Sequence, residues 1–280
     1  NKIFSAVFGL LFFICASCHA YSDEGFLRVT MLDIGQGDSF LIETHEQNIL
    51  IDTGDVDSKK LIAELNRAGV NRLEKVILTH PHADHIGGLQ ALTKNFVVLK
   101  IFDNGIESNS PLYRKYRNAD IPVSKLKAGD LIALGDGVTF HVFFPNQKLV
   151  DAVNRGQKSD PNNESAVGRL TFGQFGMIFT GDIGKTVEEK LLGKRLRASV
   201  LKAPHHGSRT SSSPEFVAAV RPQFIFISAG KDNRFGHPHK SALAIYKQLV
   251  PPENIFCTAS NGTVVLLTDG VKTSVTPQFN

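Results

Sequence analysis

Six consecutive residues, His80-Pro81-His82-Ala83-Asp84-His85, restrict what this chain can fold into more than any other stretch. They follow the apolar run Lys75-Val76-Ile77-Leu78, which reads as a buried strand, and they precede a helix expected to start near Asp84. A strand-to-helix junction can aim several side chains at one point. His80 and His82, one residue apart on extended backbone, face the same way, while Asp84 and His85 turn toward a second point as the helix begins. Imidazole nitrogens and a carboxylate oxygen are the donors that zinc and manganese accept. A solvated loop merely rich in histidine is the competing reading, and the ordered His-x-His-x-Asp-His pattern speaks against it.

The remaining chain supplies strands and helices to hold such a loop. Leu27, Val29 and Met31, then Phe40 to Ile42, then Asn48 to Asp52 read as three antiparallel strands, with Asp33, Gln36, Asp38 and Asp52 at strand ends or turns, where such residues hold turns by bonding backbone amides. Leu61, Ile62 and Leu65 mark a helix over 58–68 ended by Gly69, and Val97 to Phe102 reads as a strand. Tyr113, Arg114, Lys115, Tyr116 and Arg117 suit either base stacking with phosphate neutralisation or the wet face of an amphipathic helix. His141, alternating among apolar neighbours in the strand Val138 to Phe144, reads as structural. Asp182 follows an apolar strand and Gly181, a position from which its two oxygens can each serve one cation; capping a helix over 183–192 is the alternative. Val200 to Pro204 delivers His205 and His206, Ser213-Pro214-Glu215 opens another helix, and 263–268 with 271–276 forms a closing hairpin around Asp269-Gly270.

Composition bounds the rest. With 280 residues, 42% hydrophobic and 21% charged, and no linker, the chain reads as one globular domain over 21–280 after a leader. A net charge of +4 and a pI near 8.9 suit an anionic substrate but lack the basic stripe of a dedicated nucleic-acid binder. Lys2, an apolar run from Ile3 to Cys15 and the small residues ending at Ala20 read as a signal peptide over 1–20, which implies export; a retained anchor and lipid attachment at Cys18 are the alternatives. Only Cys257 remains beyond that segment, so stability is expected from the core and the metal.

Six further segments share an order with the histidine motif: Met31 to Ser39, Leu50 to Gly54, Asn162-Asn163-Glu164-Ser165, Phe179 to Asp182, Pro204-His205-His206-Gly207-Ser208 and Phe235-Gly236-His237-Pro238. On these, from about residue 28 to 268, the chain resembles the metallo-β-lactamase superfamily, and within it the soluble hydrolase domain of ComEC-type competence proteins. The resemblance implies an α/β (α+β) fold, the αββα four-layer sandwich of two mixed sheets with helices outside. It implies two divalent ions, zinc first and manganese as the alternative, activating water for hydrolysis. One ion falls to His80, His82 and Asp182, helped by Asn163 or a water, and the other to Asp84, His85, Asp182 and His205. His206 is then placed behind the ligands or against substrate, and Asp52 beside the metal loop. Many relatives carry a histidine where this chain has Asn162-Asn163; asparagine is the weaker ligand for zinc.

For chemistry the resemblance implies Asp84, Asp182 and His237 as catalytic residues, with Ser165, Lys202, Ser208, Arg209 and Arg234 as groups near an anionic substrate. An exported phosphodiesterase or nuclease acting on extracellular DNA is the expected function. A hydrolase of another ester, such as a phosphocholine ester or lactone, and a non-catalytic DNA- or partner-binding module are the alternatives.

Overall fold

The computed structural model describes residues 25–278, so the expected leader over 1–20, with Cys15 and Cys18, lies outside the described residues. The alternation of apolar side chains sets the architecture. In the strand Phe40–Glu43, Phe40 and Ile42 face one core and Leu41 another; in Asn48–Ile51, Ile49 and Ile51 oppose Leu50. Met177 and Phe179 likewise oppose Ile178, and Phe226 opposes Ile225 and Ile227. Successive side chains point to opposite faces of a strand, so strands apolar on both faces must be covered on both.

Two large sheets result. The first runs Thr273–Gln278, Thr263–Thr268, Leu27–Met31, Phe40–Glu43, Asn48–Ile51, Lys75–Ile77, Ile101–Asp103 and Val123–Lys125, antiparallel as far as Asn48–Ile51 and parallel beyond it. The second runs Ile255–Cys257, Phe224–Ile227, Val200–Lys202, Phe175–Phe179, Val167–Phe172, Val138–Phe144 and Leu131–Gly135, parallel through Phe175–Phe179 and antiparallel after it. Their inner faces share one core, in which the Phe40 and Phe179 rings meet edge to face at 5.3 Å. Helices Lys59–Arg67, Leu89–Asn95 and Pro111–Arg117 cover the outside of the first sheet, and Lys185–Leu191, Pro214–Val220 and Lys240–Leu249 cover the second. This is the four-layer αββα sandwich. Among the described residues, no helix is long and apolar enough to cross a membrane.

Local expectations differ from the structure in instructive places. The helix expected to start near Asp84 is two pieces, Ala83–Ile86 and Leu89–Asn95, divided at Gly87-Gly88. A Cβ on Gly88 would lie 2.2 Å from the Thr53 carbonyl oxygen, and one on Gly87 2.5 Å from the Val56 amide nitrogen. The break therefore lets the histidine loop seat directly on the segment after Asn48–Ile51. The single strand expected over 97–102 is also two, because Val97–Val98 pairs with Arg72–Leu73 in a separate small sheet. Tyr113 and Tyr116 are buried in the outer core, and the Tyr116 hydroxyl donates to Asp103 Oδ2 at 3.0 Å, which removes both rings from any base-stacking role. His141 is exposed against Phe143.

Gly88→Ala tests the close seating. It is expected to destabilise the fold by about 1–3 kcal/mol, the usual cost of overpacking a site that cannot relax, with an unchanged denaturant slope in urea unfolding; a wild-type midpoint would show that the loop yields freely.

Candidate metal centre

Both sheets end at one edge, and the chain turns there deliver the polar residues. The strand Lys75–Ile77 leads through Leu78 and Thr79 to His80, and Phe175–Phe179 leads through Thr180 and Gly181 to Asp182. Val200–Lys202 leads to His205 and His206, and Asn48–Ile51 to Asp52. Asp84, His85, Asp182 and His206 converge so that one ligand atom from each lies within 4.8 Å of the others. Asp182 faces two histidines with different oxygens: Oδ1 is 3.3 Å from His85 Nε2, and Oδ2 is 3.4 Å from His206 Nε2. His206 Nε2 also approaches Asp84 Oδ2 at 3.3 Å. His80 packs its ring 4.1 Å from that of His85 and 4.7 Å from that of His82.

The chemistry of these atoms fits divalent cations. His80 Nε2, His85 Nε2, His206 Nε2 and Asp182 Oδ1 are buried without a hydrogen-bond partner; the 3.3 Å approach of His85 to Asp182 lacks hydrogen-bond geometry. Buried polar atoms left unpaired are costly, and a set of them converging on one point is what a cation would satisfy. Their other nitrogens are committed. His206 Nδ1 donates to the Ser228 carbonyl at 2.8 Å, and His85 Nδ1 donates to Asp52 Oδ2 at 2.8 Å. Thr79 Oγ1 donates to Asp52 Oδ2 at 2.7 Å and so accepts from His80 Nδ1 at 3.2 Å. Each ring thereby turns its Nε2 inward, the arrangement by which carboxylates and carbonyls orient metal-binding histidines. The other acidic grouping, Asp38, Asp52 and His85, is largely committed within the protein: Asp52 takes Thr79 and His85, and Asp38 Oδ2 takes Lys202 Nζ at 2.5 Å, leaving Asp38 Oδ1 as its unpartnered oxygen.

Comparison with known proteins agrees with this geometry. The family profile of the metallo-beta-lactamase superfamily matches residues 32–224. The chain belongs to that superfamily. It is 32% identical over 268 residues to ComE operon protein 3 of Bacillus subtilis, covering 87% of this chain and 33% of that protein. A shorter match, 35% identical over 78 residues, covering 27% of this chain and 28% of the relative, is to exodeoxyribonuclease WalJ of Streptococcus pneumoniae. Among solved structures, the metallo-beta-lactamase fold protein YhfI from Bacillus subtilis superposes with a TM-score of 0.55 at 12% identity, covering 83% of this chain and 96% of its own. The chain thus spans about a third of ComE operon protein 3.

Within this metallo-beta-lactamase site the structure redistributes several expected roles. His206, not His205, joins the four-residue cluster; His205 is partly exposed, with Nε2 3.7 Å from Asp182 Oδ2. The reason is backbone geometry. His205, His206 and Gly207 take φ of 50°, 55° and 77°, and three left-handed residues in succession swing the second histidine inward. Asn163 does not turn its oxygen to the cluster, because Oδ1 accepts the Gly184 amide at 2.8 Å and Nδ2 donates to Asp160. In the same segment, Asn162 Oδ1 is the side-chain oxygen buried without a partner. Ser165 positions the Asp182 loop, its Oγ accepting the Asp182 amide at 3.0 Å. Gly184, not Asp182, precedes the helix Lys185–Leu191, which frees the Asp182 carboxylate from capping.

Lys202 is fully buried between Asp38, Asp182 Oδ1 at 3.7 Å and the Gly181 carbonyl at 3.0 Å, so it is a fixed counter-charge and does not meet substrate. Asp38, expected only to hold a turn, is its partner and also lies 3.3 Å from His206 Nδ1. Ser208 bonds Thr210, and exposed Arg234 stacks over Phe235 at 4.9 Å. His239 accepts the Ser241 amide and so begins the helix Lys240–Leu249. His237 stands at the mouth, its ring 5.5 Å from that of His205 and 6.0 Å from that of His206, with Nδ1 buried and unpartnered. Burial, then the charges of His206 and His205, push its imidazole down to about 4, so it is neutral at pH 7.

Without a cation, protons balance the cluster. Burial works against charge on His85 and His206, but Asp182, Asp52 and Asp84 around the first, and Asp182 and Asp38 around the second, hold both imidazoles well above their usual range. Burial would likewise raise Asp182, yet His206 and His85 hold it well below the carboxylate range. A metal must therefore displace protons from His85 and His206, and its apparent affinity is expected to rise with pH until those raised values are passed. Titration calorimetry with Zn²⁺ in two buffers of different ionisation enthalpy reads the proton release; a buffer-independent heat at pH 7 would contradict it.

Proposed function

We propose that this chain is an exported metal-dependent phosphodiesterase, with single-stranded DNA outside the cytoplasm as its substrate class. The observation that carries the reading is the convergence of Asp84 with unpartnered, buried imidazole and carboxylate atoms of His85, Asp182 and His206, beside His80 and His82. The shorter likeness to an exodeoxyribonuclease supports nucleic acid over a neutral ester. Export rests on Lys2 and the apolar run that follows it.

In this reading His80, His82 and Asp182 hold one cation, and Asp84, His85, Asp182 and His206 hold the other; the imidazole-rich set favours zinc over magnesium. When bound, such cations supply Lewis acidity, activating water near neutral pH and polarising the scissile phosphate. The chain's own residues do the rest. Asp52, Thr79 and Ser228 fix the ring orientations through the hydrogen bonds above, so no side chain must reorganise as charge develops. His237 donates a hydrogen bond from a neutral ring to a phosphate oxygen or to the leaving oxygen, which needs no proton taken up from solution.

The test compares wild type with His237→Ala on a short single-stranded oligonucleotide and on a lactone, each across a salt series. The oligonucleotide should be turned over, with rates falling steeply as salt rises because phosphate contacts release counterions. His237→Ala should keep its metal content and lose about 10²-fold in turnover, the size expected for one positioned donor. Faster, salt-insensitive lactone turnover that ignores the substitution would remove the phosphodiesterase reading.

A further inference from the structure

At the edge of the second sheet away from the metal centre, the fold gathers cations that the sequence scatters. A groove of about 940 Å³ is lined by Arg169, Lys194, Arg195, Arg197 and Arg221, and no aspartate or glutamate lines it. None of the five takes part in an ion pair among the described residues. Arg169 is the innermost. It lies across Gly176 of the neighbouring strand, where an added Cβ would come within 2.8 Å of its Nε and Nη2, and its Nε is buried without a hydrogen-bond partner. Burial, and then the charge of Arg195, hold its guanidinium below the usual range. A half-buried guanidinium beside a second one, with no acid lining the groove and no ion pair at either, is a costly arrangement unless an anion completes it.

The chemistry and shape select the anion. Four of the five cations are arginines, whose planar forks match phosphate oxygens two at a time. The groove is concave and Arg169 is the least exposed of its cations, a shape that suits a flexible strand better than a flat lipid surface or a rigid duplex. Phe175 lines it but is buried, so no exposed ring offers a stacking platform, and contact is confined to the backbone of a bound chain. The groove also lies apart from the chemistry. Phe175, Ser199 and Gln223 mark the starts of strands Phe175–Phe179, Val200–Lys202 and Phe224–Ile227, whose far ends lead to Asp182, His205 and Ser228. At about 3.3 Å per residue, the two places are separated by roughly 15–20 Å.

We propose that this groove binds the phosphate backbone of a single-stranded nucleic acid, as a holding site distinct from the metal centre. Binding there is sequence-independent and does not require the catalytic reading above to hold.

Fluorescence anisotropy of a labelled oligothymidylate, across a salt series and with its integrity checked on a gel, tests this on the full chain. Two paired variants are compared with wild type: Arg169→Gln with Arg195→Gln, and Arg197→Gln with Arg221→Gln, the second pair being exposed and clear of the Gly176 packing. Each pair should weaken binding about tenfold or more and make the log–log salt slope shallower by about 1.4, two contacts at about 0.7 each for single strands. Turnover of a small chromogenic phosphodiester should match wild type in both. Unchanged oligonucleotide affinity in both pairs overturns the proposal, as does arginine-dependent binding of phosphatidylserine vesicles with oligonucleotide binding untouched. Should wild type turn over no phosphodiester at all, the catalytic reading fails alone, because anisotropy still reads the groove.

Discussion

Asp52 accepts three hydrogen bonds in complete burial, from the Thr79 amide and hydroxyl at 2.7 Å each and from His85 Nδ1 at 2.8 Å. The rest of the site depends on this one carboxylate. Burial raises its pKa, and the charge of His85 with the hydrogen bonds from His85 and the Thr79 amide opposes that rise. Breaking such a buried pair costs on the order of 3–5 kcal/mol, because the surviving partner is stranded in a medium that cannot solvate it. Asp52 stands at the end of Asn48–Ile51, and Thr79 at the end of the adjacent Lys75–Ile77, so the network ties two neighbouring parallel strands to the histidine loop that follows them. Through Thr79 it reaches His80, and through His85 it reaches Asp182. The ligand rings are therefore oriented by the sheet itself, and the loop between them is pinned by the close seating of Gly87 and Gly88.

A second buried pair balances the first. Lys202 places a fixed positive charge between Asp38 and Asp182, and those carboxylates keep its ammonium charged against the pull of burial. Its position behind the cluster explains how Asp38, Asp52, Asp84 and Asp182 can crowd one edge of the sandwich without mutual repulsion opening it. Part of the charge is met permanently by lysine, and the part at Asp84 and Asp182 is what a cation seated in the cluster would meet.

Much of this was legible in the chain. The His-x-His-x-Asp-His order marked the loop, the apolar run Lys75 to Leu78 marked the strand that delivers it, and the family resemblance implied the two-sheet sandwich. Three things were not legible, each for a physical reason. The choice between His205 and His206 depends on three successive left-handed residues, and only Gly207 hints at them in sequence. Asp38 and Lys202 are 164 positions apart, and their pairing exists only once the two sheets have closed on each other. Tyr113 and Tyr116 sit among cations in sequence, but a helix separates them by face: the rings turn to the core and Arg114 and Lys115 to water. The basic groove was hidden in the same way, since its cations come from a strand, a loop and a helix end.

The central claim is that the unpartnered atoms of this cluster hold divalent cations and that Asp182 serves both. Elemental analysis of the purified chain after equilibration with zinc tests it most directly, with Asp182→Asn run alongside. The account expects close to two ions per wild-type chain, and a variant that folds yet retains less than half of that metal, because one substitution weakens both positions together. A wild-type chain that binds no divalent metal, or an Asp182→Asn variant that keeps the full complement, would contradict it.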